Sequence, residues 1–85
     1  MGCENLPIQV IVYCDAGGGL KPLRFQYEDK RRQLHTVHVD QVEDSRKVAF
    51  LGSEAILSLC RAQEHLYELK YTIHTHTWVL FRQIC

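Results

Sequence analysis

The residues with the most obvious chemical potential are YCDAGGGLKP, positions 13–22, where three contiguous glycines are followed by a lysine. A glycine-rich loop that cradles phosphate spaces its glycines around four residues. It then places Lys and Ser or Thr at the start of a helix, whose amides face the anion. Here Lys21 is followed by Pro22, and the residues beyond read as a strand. The dinucleotide fingerprint GxGxxG fails as well, because position 22 is proline and no strand–helix–strand unit surrounds it. The stretch therefore reads as a corner between two strands, with residues 15–21 in a surface loop that binds no phosphate. Glycines supply positive φ there, and Pro22 directs the chain into the next strand.

The remaining candidates are dispersed. Cys14, His38 and Asp40 are the residue types of a thiol nucleophile system, but such a site is defined by geometry. Cys14 lies in an apolar run, where burial raises a thiol pKa and makes it inert. His35 and His38 are three apart, so on a strand they point to opposite faces and cannot share a metal. His74 and His76 share a face if extended, yet a zinc site then requires Cys60, Glu64 or His65 to converge from elsewhere. No residue is assigned as catalytic, cofactor-binding or metal-ligating, and no cofactor is expected. Cys3, Cys14, Cys60 and Cys85 form no CxxC pair. They are expected to be free thiols, with Cys14 and Cys60 acting as small buried hydrophobes. Phe25, Tyr27, Tyr67, Tyr71, Trp78 and Phe81 fall at strand positions. Flanked by Arg24, Arg31, Arg32 and Lys70, they could stack bases. In so small a domain they are expected to be core instead, because large rings dominate its burial energy.

The elements that position these residues read as strands. Leu6–Tyr13 is rich in β-branched residues and ends at Asp15 and the glycines. In 23–28, Leu23, Phe25 and Tyr27 alternate with Arg24, Gln26 and Glu28. Asp29–Arg32 is a polar hairpin turn. Gln33–Val42 follows as a strand, with a bulge expected near Asp40–Gln41 because Val42 breaks the alternation. Glu43–Lys47 reads as a polar connection. Residues 53–67 are open to two readings: a helix started by Ser53-Glu54, or a strand over Ala55–Arg61 with Leu57 and Leu59 inward. Leu66–Ile73 alternates again, and His74–Thr77 is a turn. Trp78–Ile84 carries apolar residues on both faces, which predicts cover on both sides. Together these give an all-β domain: an antiparallel meander of about five to six strands curled into a barrel or half-barrel. The alternative is α+β, with a helix over 53–67. Phe25, Val37, Val39, Leu69, Tyr71 and Leu80 are the expected core.

The 85 residues suit a single small domain, of which 46% are hydrophobic and 24% charged, with a formal net charge of zero. Acidic pairs (Glu28-Asp29, Glu43-Asp44) alternate with basic pairs (Arg31-Arg32, Arg46-Lys47), unlike the basic footprint of a strong nucleic-acid binder. No apolar run reaches the ~20 residues of a membrane span. MGCENLP lacks the charged and apolar regions of a secretory signal. Met1-Gly2-Cys3 resembles an acylation start, but Leu6 stands where Ser or Thr is required, so lipidation is not expected. The scattered cysteines point to a reducing, cytoplasmic compartment.

Pro22-x-x-Phe25, the spaced valines of Leu34–Val42, Tyr67-x-Leu69-x-Tyr71 and Trp78-x-Leu80 resemble a family of small uncharacterised bacterial domains of unknown function. Those read as P-x-x-F, V-x-x-V, Y-x-L, W-x-L. The resemblance spans residues 20–82. It implies an all-β fold, strengthens the strand over Ala55–Arg61, and brings no catalytic residue with it. The expected role is non-enzymatic: protein contact, or self-association through a sheet edge. A nucleic-acid-associated barrel is the alternative, and a metal- or thiol-dependent enzyme a weaker one.

Overall fold

A computed structural model of the chain describes residues 5–84, and these contain no helix. Eight strands follow in order: β1 (Leu6–Pro7), β2 (Gln9–Cys14), β3 (Leu20–Glu28), β4 (Leu34–His38), β5 (Gln41–Phe50), β6 (Ser53–Ala62), β7 (His65–Thr72) and β8 (Thr77–Gln83). They form two antiparallel sheets, one five-stranded in the order β1-β8-β7-β6-β5 and one three-stranded in the order β2-β3-β4. The expected antiparallel meander is present in both sheets, but the ladders do not close into a barrel. The helical reading of 53–67 is excluded, because β6 turns at Gln63-Glu64 straight into β7.

Two segments pass from one sheet to the other. At the first, the Ile8 amide donates to Trp78 O of β8 at 3.3 Å, while Gln9 already lies opposite Gln26 of β3. At the second, the Val39 amide donates to Leu23 O at 2.9 Å, and the next amide, Asp40, donates to Arg61 O at 2.8 Å. Alternation along an extended chain points successive amides to opposite sides, so the handover leaves neither amide unpaired. Gln33–Val42 is not one strand, and the irregularity expected near Asp40–Gln41 is this change of sheet. The register shift itself falls between Val42 and Asp44. Glu43–Lys47 is the middle of β5, not a connection. Its charges suit it to a sheet edge, where they discourage pairing with another chain.

The core lies between the sheets. Val10, Phe25 and Val37 form one row across β2, β3 and β4. Against that row pack Cys60, Ala62, Tyr67, Leu69 and Leu80 of the larger sheet. Phe25 is fully buried, its ring edge-on to Tyr67 at 5.3 Å. Burial of such a ring stabilises by roughly 3 kcal/mol. Of the six expected core residues, Phe25, Leu69 and Leu80 are buried. Val37, Val39 and Tyr71 are half-buried, because Val37 is on an edge strand, Val39 at a corner, and Tyr71 near the β7–β8 turn.

Alternation also reverses the expected direction of Leu57 and Leu59. Ser58, Cys60 and Ala62 share the row positions of Leu69, Tyr67 and His65, so Leu57 and Leu59 face away from the smaller sheet. Among the described residues no second layer covers that face. Leu57 is nonetheless buried, lying between Arg46 and Lys70 in the ladder. Phe81 of β8 meets only partial cover, with Lys70 Nζ 5.4 Å from its ring centre, so the strand is not enclosed on both sides as expected. Glu68 on the same face is buried and accepts a hydrogen bond from Arg82 Nε at 2.8 Å, with Arg46 at 4.0 Å. Those contacts link β5, β7 and β8.

Candidate functional site

The glycine corner is built around its own aspartate. The amides of Gly17 and Gly19 donate to Asp15 Oδ1 at 2.9 and 2.8 Å. The Gly18 amide donates to Asp15 O, and the Asp15 amide to Gly19 O, both at 3.0 Å. Gly18 has φ of 87°. This is a short hairpin loop ending in a left-handed residue, closed by an aspartate side chain. The amides that would cradle a phosphate already hold a carboxylate. The corner is also shorter than expected, since Leu20–Pro22 belong to β3.

The β3–β4 turn repeats the design. Asp29 Oδ1 accepts from the Arg31 and Gln33 amides at 2.8 and 2.9 Å, and Arg32 takes the left-handed position with φ of 62°. Asp29 has a further partner, because the His35 imidazole donates Nε2–H to its Oδ2 at 2.7 Å. These contacts, the His35 bond foremost, hold the Asp29 carboxyl below its usual range.

Through that bond Asp29 orients a ring wall. The His35 ring stacks on Tyr27 at 5.0 Å and 17°. Across from it, His65 lies 6.2 Å from Tyr67. Between them is a cleft of about 350 Å³ lined by Tyr27, His35, Asp40, Gln63, His65 and Tyr67, among others. Burial, with the neighbouring Tyr27 as a smaller cause, pushes the Tyr67 hydroxyl pKa up and keeps it protonated. Asp40 Oδ2 accepts from the Gln63 amide at 2.6 Å, tying the corner after β4 to the β6–β7 turn.

The thiol constellation is not assembled. His38 and Asp40 lie at this cleft, whereas Cys14 ends β2 opposite Leu20, beyond the row in which His38 faces Arg24. Cys14 is exposed, contrary to its expected burial, because β2 is an edge strand. Cys60 is buried as expected, and desolvation pushes its thiol pKa up to about 12. Cys3 and Cys85 lie outside the described residues. No three His, Cys, Asp or Glu side chains among the described residues could hold a metal ion. His74 is exposed in the β7–β8 turn, and His76 Nδ1 lies 2.8 Å from the Tyr71 hydroxyl. The aromatic residues do not form one platform. Phe25 and Tyr67 are buried between the sheets, Tyr71 packs at a tilt of 39° against Trp78 at 4.9 Å, and Phe81 is on the opposite face. No helix of the described residues is long and apolar enough to cross a membrane.

The other unusual surface is the edge of β2. Ile8 points its backbone toward β8, so Val10, Val12 and Cys14 point theirs the same way. β8 begins only at Thr77, so the edge beyond Gln9 runs past it. The strand, QVIVYC, carries no charge, whereas the β5 edge carries Glu43, Asp44, Arg46 and Lys47. A register shift between Ile11 and Val12 places Leu23 as an extra residue in β3 and turns it outward, against the alternation read from sequence. Ile11 and Tyr13 alternate with the inward Val10 and Val12, and Ile11, Tyr13 and Leu23 are 48%, 57% and 43% exposed. Sequence reasoning missed these residues; the available signal was an uncharged strand bordered by a glycine corner. No protein-family model matches the chain, and neither a curated protein nor a solved structure matches it, so the surfaces just described are what a functional reading rests on.

Proposed function

We propose that this is a non-enzymatic β domain that acts by self-association, its β2 edge pairing antiparallel with β2 of a second copy. The observation that carries the proposal is the uncharged edge strand with Ile11 and Tyr13 exposed beside it. In an antiparallel self-pair, each residue meets its counterpart across a twofold axis. Charged edges such as β5 bring fixed charges together in that arrangement; β2 does not. The pleat selects the register. Like faces must coincide, a condition met by a pair centred on Val12. Val12 then faces Val12 of the second copy, Val10 faces Cys14, and Ile11 faces Tyr13 twice. Aromatic and β-branched residues are a favourable cross-strand pair, worth roughly 0.2–1 kcal/mol each. The backbone groups of Val10, Val12 and Cys14 point outward, as this register requires. The two smaller sheets become one continuous sheet.

Sedimentation equilibrium over a wide concentration range tests the reading. The wild type is expected to dimerise, and Ile11→Lys to remain monomeric with an unchanged circular dichroism spectrum. A wild-type protein that stays monomeric at high micromolar concentration, or an Ile11→Lys variant that dimerises equally well, refutes it. Val12→Cys, which brings two thiols together across the axis, is expected to give a covalent dimer on mild oxidation in a Cys14→Ser background.

A further inference from the structure

We infer that the cleft between the β3–β4 rings and the β6–β7 turn is a binding site for an organic cation of the guanidinium or alkylammonium class, separate from the β2 edge. Its volume, about 350 Å³, is at the lower end for small-molecule sites and ample for one such group. The lining selects the sign of the charge. It includes two tyrosines and three histidines, a single carboxylate, Asp40, and no lysine or arginine. The lining joins one carboxylate to electron-rich rings, a combination that attracts cations.

The site is also held in place before any ligand arrives. Asp29 fixes His35 at 2.7 Å, and His35 stacks flat on Tyr27. Tyr67 is pinned edge-on by Phe25 at 5.3 Å. Asp40 spends Oδ2 on the Gln63 amide, while Oδ1 makes no hydrogen bond among the described residues. A rigid ring wall facing a carboxylate with a free oxygen binds without reorganising, which lowers the cost of association. The Arg61 side chain lies on the face of β6 opposite Cys60 and Ala62, where its Nε donates to Glu43 Oε2 at 2.7 Å. A guanidinium, planar and weakly hydrated, matches rings and carboxylate better than a strongly hydrated ammonium.

The probe is N-acetyl-arginine methylamide, with the citrulline analogue as its uncharged isostere, titrated at pH 8 and followed by backbone amide shifts. Saturable shifts centred on Thr36, Gln63 and His65 are expected for the arginine compound alone. Asp40→Asn, which retains an oxygen for the Gln63 amide, is expected to weaken binding at least fivefold. Glu54→Gln, at the opposite end of β6 from the cleft, is expected to leave it unchanged. Equal shifts with the citrulline analogue, shifts that never saturate, shifts centred on another surface, or full affinity in Asp40→Asn would each overturn the inference. The β2 proposal does not depend on the result, because its readout is dimer mass.

Discussion

The three glycines of the first hairpin are chemically identical, yet alanine is expected to act differently at each. Gly18 sits at φ of 87°, and a Cβ there meets nothing within 4 Å. Any penalty is therefore conformational, not steric. An L-residue in the left-handed region costs roughly 1–2 kcal/mol. The stiffer unfolded chain returns about 0.4–1 kcal/mol of that. Gly18→Ala should thus destabilise by about 1 kcal/mol, lowering the melting temperature by ~4–8 °C for a domain of this size. Gly17 lacks a positive φ, and its added Cβ would lie at an ordinary 3.5 Å from Asp15 Oδ1, so Gly17→Ala should be neutral or slightly stabilising. At Gly19 the Cβ would come within 2.8 Å of Asp15 Oδ2, so alanine displaces the carboxylate that closes the loop. Losing its two amide bonds costs about 1–2 kcal/mol. The second hairpin supplies the reverse experiment. Arg32 holds the equivalent left-handed position at φ of 62°, and Arg32→Gly should stabilise by about 0.5–1 kcal/mol once the entropy of glycine is subtracted. Urea denaturation of the four variants, with slopes compared to exclude changes in the unfolded state, measures all of this. An unchanged midpoint for Gly18→Ala, or a lowered one for Arg32→Gly, refutes the shared loop design.

Acid stability should depend on Asp29. Its folded pKa lies below the ordinary 3.8, so its contribution is present above that value and is lost as pH falls through the folded pKa. Asp29→Asn should be less stable than wild type at pH 6, with the difference shrinking toward pH 2; a gap that persists there contradicts the assignment. Ser58 is fully buried and its hydroxyl has no partner among the described residues, so Ser58→Ala should stabilise by about 1 kcal/mol in a thermal melt, and a loss of that size would mean that the hydroxyl is satisfied. Site-resolved mass spectrometry after brief alkylation of the native protein should find Cys14 modified and Cys60 intact, because Cys60 is buried and its thiolate is scarce. Comparable labelling of both would place Cys60 at the surface.

Local physics made much of this protein legible from its residues. The alternation of Phe25 and Tyr27 with Gln26 and Glu28 sets a half-buried strand without reference to the rest of the chain, and the same holds for Tyr67, Leu69 and Tyr71. The glycine corner was readable as a corner, because Pro22 and the following strand exclude a phosphate-binding helix. What the alternation does not contain is the identity of each strand's neighbours. Glu43–Lys47 reads as a loop because its charges avoid a core, yet an edge strand is where such charges belong. Leu23 is outward only because an extra residue interrupts the ladder with β2. Cys14 is exposed only because β2 has one partner. The cleft joins Tyr27 and His35 to His65 and Tyr67, residues too far apart in the chain for any spacing rule to connect. The changes of sheet at Ile8 and Val39–Asp40 decide that juxtaposition. They are set by where β8 begins and β6 ends beside them, a property of the packed sheets. Side-chain period is a property of a single strand and can be read one strand at a time; adjacency, and every site made from it, exists only once the strands have paired.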